Sequence, residues 1–209
     1  MANNRGSKIS LQKKIPPVEE LAERFSFISN EILRTNLAIA FQYIIFLIAI
    51  LDELEVEGTT IASSVHKDMI VHSGTIIESC LHHCVRRYID SGTVESEDIM
   101  PSDWDVKDSK DLYVISETEK VCGVTMHKKT EHFKDNTNFI VVNRAAQKAG
   151  ILDATLFDKA EKAREMRNKI HLAGQSGIDG AYTKAESKKM FDLANEIISE
   201  VESKLKSLT

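Results

Sequence analysis

The side chains best equipped for chemistry in this 209-residue chain lie close together, in Ala163-Arg164-Glu165-Met166-Arg167-Asn168-Lys169-Ile170-His171. Two guanidinium groups offer planar forks of donors that match an oxyanion such as phosphate. An imidazole exchanges a proton near neutrality. The segment falls in a helix-favouring run from about Asp153 to Ala173. At about 100° per residue, Leu152, Leu156, Ala160, Ala163 and Ile170 form one apolar stripe. Arg167 sits in the middle of that stripe, with Arg164 and His171 along its margin. A buried cation without a partner is costly, so these groups require either a structural ion-pair network or a polar site. Glu78, Glu161 and Glu165 are the candidate partners.

The elements that must position this segment are mostly helical. Only 9 Gly and 3 Pro interrupt a chain that is 42% hydrophobic, enough to bury a core and poor in turns. Residues 1–17 are polar, lack the apolar centre of a signal peptide and read as a flexible tail. Residues 18–209 read as a single domain. Val18 to Asn30 reads as a helix behind Pro16-Pro17, with Glu19 and Glu20 in its first turn. Glu31 to Glu57 is the most apolar stretch. Its centre is shorter than the roughly twenty residues a membrane span needs, and Arg34 and Asp52-Glu53 bracket it. It is therefore expected to be a buried helix, part of whose cover comes from a second copy of the chain.

A long helix is expected from Ile61 to Ile89. Cys80, His83 and Cys84 fall on it, but no second Cys/His pair follows at zinc-ligand spacing, so no metal is expected and the thiols read as packing groups. Thr93 to Lys110 reads as acidic and irregular. Residues 112–116 and 121–126 are rich in β-branched side chains and predict a small hairpin, an insertion over about 111–134. His127, Lys128, Lys129 and His132 give it a basic end, read as a solvated tip or an RNA contact. Asn138 to Ala149 is helical, with Gly150 placed to end it and Asp153 to cap the next helix. Thr183-Lys184-Ala185-Glu186 is a capping box opening a last helix to about Leu205. The fold class this predicts is all-α: an antiparallel, up-and-down bundle of five or six helices with a small inserted β-hairpin.

Net charge is −5, so no bulk attraction draws the chain to nucleic acid, and no DNA-binding signature is present. Three cysteines, an odd number, point to free thiols in a reducing cytoplasm. Gly-rich phosphate loops, a Gly-x-Ser-x-Gly elbow and a His-Glu-x-x-His helix are all missing.

The helix, the Gly-Ile-Leu-Asp turn and the helix carrying Arg-Glu-Met-Arg-Asn-Lys-Ile-His-Leu together resemble HEPN domains (higher eukaryote and prokaryote nucleotide-binding). The family's motif is an Arg followed, after four to six residues, by a His. Arg164 precedes His171 by six intervening residues. Arg167-Asn168 also looks like the family's Arg-polar pair, with three intervening residues, so either arginine can fill the motif role. The segment around Glu78 looks like the family's earlier core helix.

The resemblance implies a metal-independent endoribonuclease without cofactor, acting as a homodimer and serving as a toxin or in phage defence. A 2′-hydroxyl would attack the adjacent phosphate, leaving a cyclic phosphate and a 5′-hydroxyl. His171 would move the proton, Arg164 and Arg167 would hold the phosphoryl oxygens, and Asn168 would orient the histidine or the RNA. Two proton transfers and one histidine per chain favour a two-fold dimer with the motif helices side by side. An antitoxin nucleotidyltransferase is the further partner this implies. The alternative is a non-catalytic, HEPN-like dimeric scaffold that binds a partner protein or nucleotide, with both arginines sealed by carboxylates.

Overall fold

The computed structural model describes residues 15–54, 56–168 and 182–208. Most of the expected 1–17 tail, Lys169 to His171 and the Gly174–Gly180 stretch lie outside the described residues.

A 31-residue helix organises the rest. Helix α1 is Val18–Glu23, α2 is Glu31–Leu54, α3 is Thr60–Asp90, and α4 is the single turn Ser96–Ile99. Strands β1 (Ser102–Val114) and β2 (Lys120–Thr130) follow, then α5 (Phe139–Lys148), α6 (Ala154–Asn168) and α7 (Lys184–Lys206). Helix α3 packs against α2, α5, α6 and α7. It can do so because apolar or small side chains run round most of it: Ile70, Ser73, Gly74, Ile76, Ile77, Cys80, Leu81, Cys84 and Val85 are all buried.

Local signals set the ends of these helices. Thr59 Oγ1 caps α3 by accepting from the Ala62 N–H. Asp153 Oδ1 accepts from the Leu156 N–H at 2.7 Å, as an N-cap should. The capping box at Thr183 and Glu186 is formed in both directions. Gly150 closes α5 at φ +70°, a conformation that costs a side-chain-free residue little.

The fold class differs from expectation. The described residues contain seven helices, 63% of the structure is helical, and the sheet is a long antiparallel ribbon. The all-α, five- or six-helix antiparallel bundle with a small hairpin is therefore not what the chain forms. Its helices α2, α5, α6 and α7 each pack against the central α3. The ribbon also starts nine residues earlier than the insertion placed at about 111. Its first half, Asp103 to Asp111, is so rich in Asp and Lys that it reads as irregular, since both residues are disfavoured in strands. Cross-strand ion pairs offset that: Lys120 to Asp111 at 3.0 Å and Lys129 to Asp105 at 3.5 Å. Every residue of β1 is exposed, so the ribbon stands away from the helical body.

Helix α1 ends at Glu23, before the expected Asn30, in a turn that buries Phe25 and Ile28. Helix α2 is long and apolar enough to cross a membrane by length and composition, but only a third of its most apolar window is buried. One side packs on α1 and α3. Among the described residues, Ile32, Ile39 and Ile48 of this helix are exposed, where cover was expected.

Candidate functional site

Helix α6 crosses α3 where α3 has no side chain. A Cβ placed on Gly74 would lie 3.2 Å from Arg167 Cδ and 3.3 Å from its Cβ, so the stem of Arg167 lies flat across the glycine. One turn further along α3, Glu78 Oε2 meets Arg167 Nη1 at 2.9 Å. The Arg167 guanidinium also lies 5.9 Å from the centre of the Phe139 ring at the start of α5, within cation–π range. Arg167 remains 31% exposed and Glu78 25%. The predicted apolar stripe is in place beneath: Leu152, Leu156, Ala160 and Ala163 are buried, while Ile170 lies outside the described residues.

Arg164 is also paired. Its Nε donates to Glu161 Oε2 at 3.1 Å, and Glu161 Oε1 accepts from Asn143 Nδ2 at 2.7 Å. Asn143 is fully buried on α5, so this chain of bonds ties α5 to α6. Asn143 Oδ1 and Ser73 Oγ, the latter next to Gly74, have no hydrogen-bond partner among the described residues. Asn168 is exposed. His171 lies outside the described residues. The structure thus pairs Arg167 with Glu78 and Arg164 with Glu161, and leaves Glu165 exposed. The role of Gly74 was not apparent from the sequence; a glycine inside a strongly helical run is the signal that marks it.

The α3 face continues toward the ribbon. His82 Nε2 contacts the Lys134 carbonyl at 3.0 Å, and Arg86 donates to Asp135 at 3.0 Å. Lys129, His132 and Lys134 line a cleft of ≈ 300 Å³ with Glu131, Asn136 and Thr137 among its walls. Of the basic end, Lys129 is already paired with Asp105, and Lys128 sits opposite Trp104. Residues 102–130 carry five lysines against six carboxylates, which offers no electrostatic pull on RNA.

Burial pushes Cys80 and Cys84 up to about 12, in Cys80 with help from Cys84, so both stay as thiols. Among the described residues no group of three His, Cys, Asp or Glu could hold a metal ion.

One array escaped the sequence reading altogether. His66 Nδ1 lies 2.9 Å from Ser187 Oγ, and its Nε2 lies 3.3 Å from Glu57 Oε1. Ser187 is 1% exposed and His66 2%, and both, with Glu57, line a cleft of ≈ 190 Å³. With both ring nitrogens partnered, the array fastens the α2–α3 turn to α7.

The Arg167–Glu78 pair makes a measurable prediction. A double-mutant cycle on Arg167→Ala and Glu78→Ala is expected to show a coupling of about 1 kcal/mol, the upper end for exposed pairs, because both groups are largely enclosed. Urea unfolding of the four proteins checks it; a coupling near zero would mean that the pair is a surface ornament. Compared with known proteins, the chain matches no family model, no curated protein and no solved structure.

Proposed function

We propose that the chain is a non-catalytic helical scaffold of HEPN-like layout, one that binds a partner protein or nucleotide rather than cleaving RNA. The supporting observation is that both candidate arginines are neutralised within the chain, Arg167 by Glu78 and Arg164 by Glu161. A guanidinium whose charge is already matched has less to offer a phosphoryl group. The balanced charge of the ribbon supports the same reading, since an RNA substrate would need a basic track.

A second reading, the metal-independent ribonuclease, draws on one observation: Arg167 is a third exposed and Asn168 is exposed, at the described end of α6. The two readings part in one assay. Purified protein is incubated with single-stranded RNA in EDTA, beside His171→Ala and Arg167→Ala. On the scaffold reading all three leave the RNA intact. Cleavage by the wild type that both substitutions abolish, with folding preserved, would replace the scaffold by the nuclease.

A further inference from the structure

The cleft of ≈ 190 Å³ that holds His66 and Ser187 lies where α2, α3 and α7 meet. Its walls are apolar: Ile48 and Leu51 of α2, Met69 of α3 and Phe191 of α7. Its rim is charged, and the signs are segregated. Asp52 of α2 and Glu57 of the α2–α3 turn supply two carboxylates. Lys184 and Lys188, in the first two turns of α7, supply two ammonium groups. His66 bridges the two sides, with Glu57 3.3 Å from Nε2 and Ser187 2.9 Å from Nδ1. Lys188 is neutralised by Asp192 at 2.6 Å. Asp52 and Lys184 have no partner among the described residues.

Both of these unpartnered charges sit where their own helix disfavours them. Asp52 lies in the last turn of α2, at the negative end of its dipole, and Lys184 opens α7, at the positive end. The acid of that first turn, Glu186, is taken up by the capping box. A ligand that brought an ammonium group to Asp52 and a carboxylate to Lys184 would relieve both conflicts. Its cation would face the negative end of α2, and its anion the positive end of α7. Charges set against the local rule mark functional sites more often than structural ones.

We propose that this cleft binds a zwitterion with an apolar tail, namely a free aliphatic amino acid such as leucine. The side chain would lie between Ile48, Leu51, Met69 and Phe191, with the α-ammonium and α-carboxylate at the rim. Size selects within the class. A cavity of about 150 Å³ accepts benzene, so this one takes about eight heavy atoms, which admits valine, leucine or isoleucine and excludes tryptophan. Charge excludes other classes. The two carboxylates and two ammonium groups of the rim balance, so a fatty acid leaves the acidic side unmatched and an alkylamine the basic side. No lining residue belongs to α5 or α6, so the cleft stands apart from Arg164 and Arg167 and goes beyond the scaffold reading without resting on it.

Calorimetric titration of the full chain tests the site. Leucine is expected to bind saturably, at least about 10-fold more tightly than isocaproate, which lacks the ammonium group, or isoamylamine, which lacks the carboxylate. Asp52→Asn should weaken leucine at least about 10-fold without weakening isocaproate. Lys184→Gln should weaken leucine by a similar factor without weakening isoamylamine. Both residues are exposed, so the helical circular dichroism signal should not change in either variant. No saturable heat with leucine up to about 10 mM would overturn the proposal. So would leucine binding that both substitutions leave intact, which would put the ligand elsewhere. Isocaproate binding as tightly as leucine would also overturn it, by making the cleft a fatty-acid site.

Discussion

Gly74→Leu is expected to destabilise the protein by about 3 kcal/mol, whereas Gly74→Ala should be close to neutral. The contrast follows from what each side chain meets. Alanine adds one carbon 3.2–3.4 Å from the stem of Arg167, tight but against a flexible side chain that can move by a few tenths of an ångström. Against that strain, alanine inside a helix gains about 1 kcal/mol over glycine. Leucine has no such room. Its branch would occupy the volume of the Arg167 stem, push α6 off α3 and separate Arg167 from Glu78. Overpacking of a closed contact costs about 1–3 kcal/mol, and loss of the ion pair adds to it. Urea midpoints of the three proteins decide the matter. If leucine is tolerated as well as alanine, α6 does not rest on Gly74 in solution.

The second large effect is one of pH. His83 is buried on α3, 8% exposed, with no hydrogen-bond partner for Nε2 among the described residues. Burial, then the nearby charges of Arg87 and His82, lower its pKa from 6.5 to about 4, with Asp90 opposing weakly. The unfolded chain therefore takes up a proton at this residue as pH falls below 6.5, while the folded chain declines it until about 4. Stability contributed by the neutral imidazole is fully present above 6.5, is lost progressively between 6.5 and 4, and is gone below. At about 1.4 kcal/mol per decade the loss is at most roughly 3 kcal/mol. The His83→Leu variant should lack this part of the pH profile. The readout is the difference between the two unfolding curves from pH 8 to 4, since carboxylates shared by both proteins cancel. Parallel curves would show that His83 is solvated or already charged in the fold.

Much of the architecture could be read from neighbouring residues because its causes are local. Thr183 and Glu186 are three apart and cap α7 regardless of what surrounds them; Gly150 and Asp153 act over a single turn. The apolar stripe of α6 follows from spacing alone, and Leu156, Ala160 and Ala163 are buried as it requires. The ribbon was half legible: β-branched residues mark its tip, but the strand character of Asp103 to Asp111 depends on lysines of β2 across the ladder, residues that no window along the chain brings together.

The residue types alone determined that Arg164 and Arg167 would need an ion-pair network or a polar site, that α3 would be long, and that α2 would be the most apolar stretch of the chain. Tertiary packing alone decided which carboxylate each arginine received, that a glycine on a distant helix would lie under Arg167, and that His66 would join Glu57 to Ser187. The physical reason is range. Caps and periodicity act within a few residues, whereas the partners of a half-buried charge are chosen by which helices cross, and here Glu78 and Arg167 meet across 89 positions of sequence only because Gly74 lets α6 come close.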